Sequence, residues 1–340
     1  MKATVISGHA PGGERTRLAE VLPLSTPYVV QIFPVYACNF RCNYCIFSLP
    51  ESQRPFISDK IKMEFDLFQD CVDSFRSFPD KIKVLRFVGI GEPLLHSELP
   101  RMIEYADNAR VAEKTELLTN ASRLRSREAD ALIAAGLSRL VVSIQGTSAA
   151  RYYSTCRVRI DFRELLENLH YFYRQKEKTH VYIKIVDTAL ADADDEQRFY
   201  ELFGNCCDTI AVEHTVPIHK GIDFDRLFSH RDCLTTQFGL PVNSIQVCPQ
   251  PFFTMQINPD GKVVPCYSFE YPEIIGDCNV QSAHAIWQST KFQVFRCRML
   301  AKGKQANRVC RECKIIDYRQ FPEDDLSQDA ERLKRYFCDG

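Results

Sequence analysis

The sequence predicts an α/β protein, a partial, TIM-like (β/α)6 barrel with a small domain behind it, and three observations carry that expectation. From about residue 28 to residue 220, short β-branched runs alternate with longer segments whose apolar residues recur at three and four, the pattern of consecutive βα units around a parallel sheet. Six such units are present, rather than the eight of a closed barrel. Beyond Gly221 the alternation stops, and prolines, glycines and cysteines punctuate short segments.

Residues 1–27 mix polar, glycine and charged positions and read as an N-terminal extension. Strands are expected at 30–35, 83–88, 114–118, 139–144, 180–186 and 209–213, with helices at 64–78, 98–108, 125–135, 162–176 and 195–203 between them. Gly136 closes the third of these helices, since glycine enters the left-handed region at little steric cost. Ligands of such sheets gather beyond the carboxyl ends of the strands. Residues 221–242 read as a linker and 243–320 as a second domain, where Asn258-Pro259-Asp260-Gly261 is a hairpin turn between runs at 253–257 and 262–265. The charged segment 321–340 reads as a terminal tail helix.

Composition narrows the function classes. Of the 340 residues 45% are apolar and 26% charged, the balance of an ordinary globular protein. The 43 basic residues nearly cancel the 44 acidic ones, so no overall field collects nucleic acid or an anionic membrane, and neither is expected as a partner. No stretch reaches the length of a bilayer span and no signal-peptide pattern opens the chain, which predicts a cytoplasmic location. In that reducing compartment, close spacings among the 15 cysteines point to metal or redox chemistry before disulfides.

Immediately after the first strand comes Cys38-Asn39-Phe40-Arg41-Cys42-Asn43-Tyr44-Cys45. Thiolates are the soft ligands of iron–sulfur clusters, and three protein ligands leave one iron open to another molecule. A structural zinc site wants four ligands, usually from two separated pairs. This C-x3-C-x2-C pattern, with the aromatic Tyr44 before its third cysteine, resembles the radical S-adenosylmethionine (SAM) superfamily. The resemblance implies that Cys38, Cys42 and Cys45 hold a [4Fe-4S] cluster whose open iron is chelated by the amino and carboxylate groups of SAM. One-electron reduction would then release a 5'-deoxyadenosyl radical, with the electron drawn from an external low-potential donor such as flavodoxin or ferredoxin.

Further positions match that family one at a time. Gly89-Ile90-Gly91-Glu92-Pro93, after the second strand, resembles its glycine–glutamate motif, whose backbone and carboxylate meet the SAM amino group. Thr119 and Asn120 stand where the family has a short polar pair near the cofactor, Ser143 and Gln145 are placed to reach the SAM ribose or the substrate, and Lys184 to pair with the SAM carboxylate. Glu213 and His214, at the end of the sixth strand, point to the same rim as candidates for substrate contact, with a core or surface role as the alternative.

A second cysteine group follows: Cys248, twelve residues, Gly261, four residues, Cys266, then Cys310-Arg311-Glu312-Cys313. The arrangement resembles the accessory iron–sulfur domains called SPASM and, in shorter form, twitch. Residues 314–320 lack the further cysteines of a full SPASM domain. The resemblance therefore implies one auxiliary [4Fe-4S] cluster on Cys248, Cys266, Cys310 and Cys313, with Cys278 or Cys297 as possible substitutes, Trp287 in the core, and zinc as the alternative for the same thiolates.

The reaction depends on what the substrate radical meets. Removal of an electron by the auxiliary cluster turns a hydroxyl carbon into a ketone, whereas hydrogen donation by a thiol to the opposite face epimerises it. Cys207, Cys233, Cys278 and Cys297 are the candidate donors. With 37 residues before Cys38, a leader-binding domain of the peptide-modifying kind is not expected. The whole resembles aminocyclitol dehydrogenases and aminoglycoside or oligosaccharide epimerases, which implies a carbohydrate-like small-molecule substrate. The alternatives are a peptide maturase with a separate leader-binding partner and a noncatalytic zinc-binding scaffold.

Overall fold

Ten strands join in one open sheet in a computed structural model of the chain, which describes residues 1–6, 15–54, 58, 60–228, 234–267, 270–319 and 321–338. They are β1 (Thr4–Val5), β2 (Val29–Ile32), β3 (Ile82–Phe87), β4 (Ala112–Thr119), β5 (Arg139–Ile144), β6 (His180–Val186), β7 (Thr209–Glu213), β8 (Thr254–Ile257), β9 (Lys262–Val264) and β10 (Gly276–Asp277). Their spatial order is β1-β7-β6-β5-β4-β3-β2-β8-β9-β10. The six expected strands are β2 to β7, parallel and in sequence order, and the sheet does not close on itself.

The middle of β5 is apolar on both faces because both are covered. In β5, Leu140, Val142 and Ile144 pack into the main core with the outer helices, whereas Val141 joins Tyr182 and Ala211 in a small cluster of its own. The outer layer contains helices Phe65–Phe75, Leu99–Ala109, Ser126–Ala134, Phe162–Gln175 and Ala193–Phe203, matching the apolar periodicity. Gly136 has φ +77° and lies directly behind the third of them.

Three features differ from the sequence expectation. The described parts of residues 1–27 are tied into the body: β1 pairs parallel with β7, and Arg15 and Arg17 bind Asp324 and Asp329 of the C-terminal segment at 2.7 and 2.8 Å. An extra helix, Ala149–Cys156, follows β5, capped by Ser148, which accepts from the Arg151 amide. The hairpin β8–β9 continues the barrel sheet, because β8 lies parallel against β2 in the register Val29 to Thr254 through Ile32 to Ile257. Among the described residues no helix is long and apolar enough to cross a membrane.

Behind the hairpin, Trp287 is buried, donates its Nε1 to Leu24 O at 3.1 Å and meets the Phe292 ring edge-on at 5.1 Å. The terminal helix, Ala330–Phe337, is shorter than expected and is joined to helix Thr290–Lys302 by a Cys297–Cys338 disulfide. Truncating Trp287 removes a large buried ring and strands a carbonyl, so Trp287→Ala should lower the unfolding free energy by about 3–5 kcal/mol in urea denaturation.

Candidate active site

The three-cysteine loop leaves the carboxyl end of β2 and is held from below by the unexpected helix: Arg41 N donates to Cys156 O at 3.0 Å and Asn43 N to Thr155 O at 2.9 Å. From the side, Asn39 donates to Ser122 Oγ at 2.7 Å and accepts from Asn120 Nδ2 at 3.0 Å. The loop's backbone polar groups are thus answered by the ends of neighbouring elements, as an irregular, part-buried segment requires. The Cys42 thiol shares a hydrogen bond with Cys156, which together with burial holds it well above its ordinary range.

The turn after β3 closes over the same loop. Glu92 N donates to Ala37 O at 2.8 Å, and a Cβ at Gly91 would lie 2.4 Å from Val35 O and 2.8 Å from Ala37 O, so no other residue fits there. The Glu92 carboxylate is buried and accepts from Leu94 N at 3.0 Å, Asn120 N at 2.6 Å and the Thr119 hydroxyl. It clamps the ends of β3 and β4 together. Three donors on its two oxygens leave acceptor capacity for the amino-group contact that the resemblance implies, and Pro93 beside it is buried.

These elements surround a cavity of about 250 Å³. It is lined by Cys38, Cys42, Cys45 and Tyr44 on one side and by Gly89, Gly91, Glu92, Thr119 and Asn120 on another. Ser143, Gln145, Lys184, Glu213 and His214 supply a polar far wall. Tyr44 donates its hydroxyl to Gln145 Oε1. Lys184, on the same wall, pairs with Glu213 at 2.7 Å. His214 Nδ1 lies 2.9 Å from Asp187, which also holds the amides of Thr188 and Thr215.

Cys248, Cys266, Cys310 and Cys313 line a second, smaller cavity of about 30 Å³, with Tyr267 as a wall common to both. Burial pushes Cys310 up to about 12 and raises Cys248 and Cys266, and the four thiols raise one another's proton affinity. Four neighbouring thiols in dry surroundings become thiolates when a cation joins them, which suits a metal centre. No three His, Cys, Asp or Glu side chains among the described residues converge on a point that one metal ion could occupy. A third cavity of about 440 Å³ adjoins both, sharing Ile46, Ile218 and His219 with the first and Cys313 with the second.

The candidate hydrogen donors fare differently from the cluster cysteines. Cys207 is buried in the main core, with its thiol donating to Phe203 O; Cys278 is buried against Cys71; Cys297 is bonded to Cys338. None of these three lines the first cavity: Cys207 lies in the loop before β7, Cys278 in the turn after β10 and Cys297 in helix Thr290–Lys302, and Cys233 lies outside the described residues. The residues that sequence reasoning missed are Gln237, Tyr267 and Arg319, which reach the first cavity from irregular segments.

Burial raises Glu92 from its ordinary 4.5 to about 7, against three hydrogen bonds that lower it. A carboxyl raised on folding contributes stability that is complete below its unfolded value and is lost as pH rises through its folded value. Glu92→Gln should therefore flatten the fall in unfolding free energy between about pH 4.5 and 7, read by denaturant titration at a series of pH values.

Comparison with known proteins agrees with the geometry. The radical SAM superfamily model matches residues 32–186, and the SPASM iron–sulfur cluster-binding domain matches residues 248–314. Over 116 residues the chain is 36% identical to a GTP 3',8-cyclase of Tolumonas auensis, covering 34% of this chain and 32% of that protein. Over 122 residues it is 33% identical to a GTP 3',8-cyclase of Listeria monocytogenes, covering 35% and 34%. It thus matches about a third of the length of these relatives. Among solved structures, Streptococcus suis SuiB bound to S-adenosylmethionine superposes with a TM-score of 0.62 at 16% identity, over 91% of this chain and 80% of that one. BtrN in complex with AdoMet and 2-DOIA gives 0.52 at 18% identity, over 86% and 95%. The chain belongs to the radical SAM superfamily, carries a SPASM domain behind its barrel, and has SAM and [4Fe-4S] clusters as its cofactors.

Proposed function

We propose that this radical SAM enzyme dehydrogenates a hydroxylated, carbohydrate-like small molecule bound between two clusters, the first on Cys38, Cys42 and Cys45 and the second on Cys248, Cys266, Cys310 and Cys313. The carrying observation is Tyr267, the wall shared by the three-thiol and four-thiol cavities. When bound, these groups supply the redox chemistry: SAM cleavage to a 5'-deoxyadenosyl radical that takes a hydrogen atom from the substrate, and an acceptor for the electron left behind.

The chain's own residues set up the rest. Gly91 lets the turn after β3 pack against the Val35 and Ala37 backbone that leads into the cysteine loop, and Gly89 lets it pack against the Phe33 ring. Gln145, already joined to Tyr44, and Glu213, held by Lys184 and by Tyr182 at 3.1 Å, fix the polar far wall. Polar groups held by other polar groups keep their geometry when a hydroxylated ligand enters, which favours orientation over induced fit. Epimerisation would need a spare thiol in the cavity; Cys207, Cys278 and Cys297 lie elsewhere, and Cys233 is the remaining candidate.

The reaction is read by mass spectrometry after anaerobic reconstitution and incubation with SAM and a low-potential reductant in deuterated water. The panel contains sugars, aminocyclitols and peptides, together with GTP on account of the relatives named for it. A product lighter by two hydrogens is expected; one that retains its hydrogens and gains a single solvent deuterium would replace dehydrogenation by epimerisation. Replacing Cys38, Cys42 and Cys45 together by alanine should abolish 5'-deoxyadenosine formation and leave about half the iron, that of the four-thiol site. Zinc in place of that residual iron would overturn the auxiliary cluster.

A further inference from the structure

In the first cavity, Gln237 and Arg319 each carry a buried side-chain atom that finds no hydrogen-bond partner among the described residues. Gln237 is nine-tenths buried; its Nε2 donates to Glu213 Oε2 at 2.7 Å, while its Oε1 is buried with no partner. The orientation of the amide follows from its neighbour. Glu213 also accepts from Lys184 and Tyr182, so the amide nitrogen faces the carboxylate and the oxygen is the end turned to the cavity. Arg319 is the second group. Its Nε is buried with no acceptor, its guanidinium lies 5.7 Å from the centroid of the Tyr267 ring, and among the described residues no carboxylate pairs with it.

The backbone holds these two residues together. Gln237 N donates to Tyr318 O at 2.9 Å, and Gln237 O accepts from His214 N at 2.9 Å, so this one residue bridges the end of β7 to the segment that carries Arg319. The remaining cations of the wall are accounted for. Lys184 is paired with Glu213, and His219 is pushed down to about 3 by burial and then by the nearby Arg319 charge, so it is neutral. Arg319 brings a positive charge with which no carboxylate among the described residues forms an ion pair.

We propose that Arg319 and Gln237 form the substrate-anchoring subsite, and that the substrate carries an anionic oxygen group, carboxylate or phosphate, beside a hydroxyl or N–H donor. The guanidinium fork suits either anion, and the amide oxygen accepts from the neighbouring donor. The subsite deepens the reading above, a hydroxylated small molecule between two clusters, and rests on it. It narrows that class to acidic members and places their charged end against Tyr267, on the side of the four-thiol cavity.

The test uses the reconstituted holoenzyme with SAM, kept anaerobic, and measures calorimetric affinity and 5'-deoxyadenosine formation. The probes are glucose, glucuronate and glucose 6-phosphate, with a neutral and an acidic pentapeptide as a second set. At least one acidic probe should bind about tenfold or more tighter than its neutral parent. Arg319→Gln should erase that preference, Arg319→Lys should retain part of it, and Gln237→Met should weaken acidic and neutral sugars alike. Glucuronate against glucose 6-phosphate separates carboxylate from phosphate. Equal binding of acids and parents to the wild type overturns the subsite even if the variants fail to fold, as does a preference that survives Arg319→Gln. A loss of SAM affinity in Arg319→Gln without any probe overturns it too, since Arg319 would then serve the cofactor. An Arg319-dependent preference confined to the acidic peptide, or an acidic sugar that binds without raising 5'-deoxyadenosine, keeps the subsite and sinks the carbohydrate reading.

Discussion

The pairing of β2 with β8 is the constraint on which the two thiol sites depend. β2 is bonded on both sides, to β3 within the barrel and to β8 of the hairpin, so it presents no free edge. The three-cysteine loop leaves its carboxyl end, while Cys248 precedes β8 and Cys266 follows β9. A slip of one residue would turn every side chain of the strand to the other face, and the buried side chains forbid it. Thr254 Oγ1 donates to Val29 O at 3.0 Å, and above it Tyr36 and Gln256 both donate to Asn258 Oδ1, at 2.6 and 2.8 Å. Tyr36 stands two residues before Cys38, so the hairpin turn and the cysteine loop share one hydrogen-bond network.

Burial explains why these sites exist as cavities and not as collapsed core. Cys38 is pushed up to about 12, chiefly by desolvation, and the buried four-thiol group behaves likewise. Arg41 gives no relief by hydrogen bonding, since its guanidinium is turned to Cys38 O and Phe40 O at 2.7 and 2.8 Å. Its work is to shape the loop. The charge that lets such thiols ionise comes from a bound metal centre, which couples cluster loading to the stability of the segments that carry the ligands.

Regular elements were legible where both faces of a strand are covered. β5, β6 and β7 have the limits expected from their β-branched runs, and the hairpin falls at Asn258–Gly261, where Gly261 has φ +85°. The extra helix Ala149–Cys156 was not legible, because its polar run Arg-Tyr-Tyr-Ser-Thr hides a buried stripe made by Tyr152, Thr155 and Cys156. Close cysteine spacings marked the ligand sets. Cys297 and Cys338 are 41 residues apart and meet because two helices pack, which no local pattern records. Gln237 and Arg319 were missed for the same reason: each sits in an irregular segment, and the chemistry arises from the backbone bond that brings the two segments together.

Arg296 shows how the second site is made rigid. It is a buried cation lowered to about 9 by desolvation, yet no carboxylate among the described residues pairs with it. Instead it lies 4.0 Å from the Trp287 ring and 3.9 Å from the Phe292 ring and donates to Pro251 O and Trp287 O at 2.9 and 3.1 Å. Ring faces and carbonyls hold a guanidinium with less directional freedom than a flexible carboxylate would leave it. Pro251 adjoins Gln250, whose Oε1 accepts from Tyr267 N at 2.6 Å, and Tyr267 follows Cys266. The aromatic core behind the hairpin is therefore connected, through four contacts in series, to the wall between the two cavities. A ligand pressed against Tyr267 meets a surface backed by the protein core, so its distance from the four thiols is set before it binds.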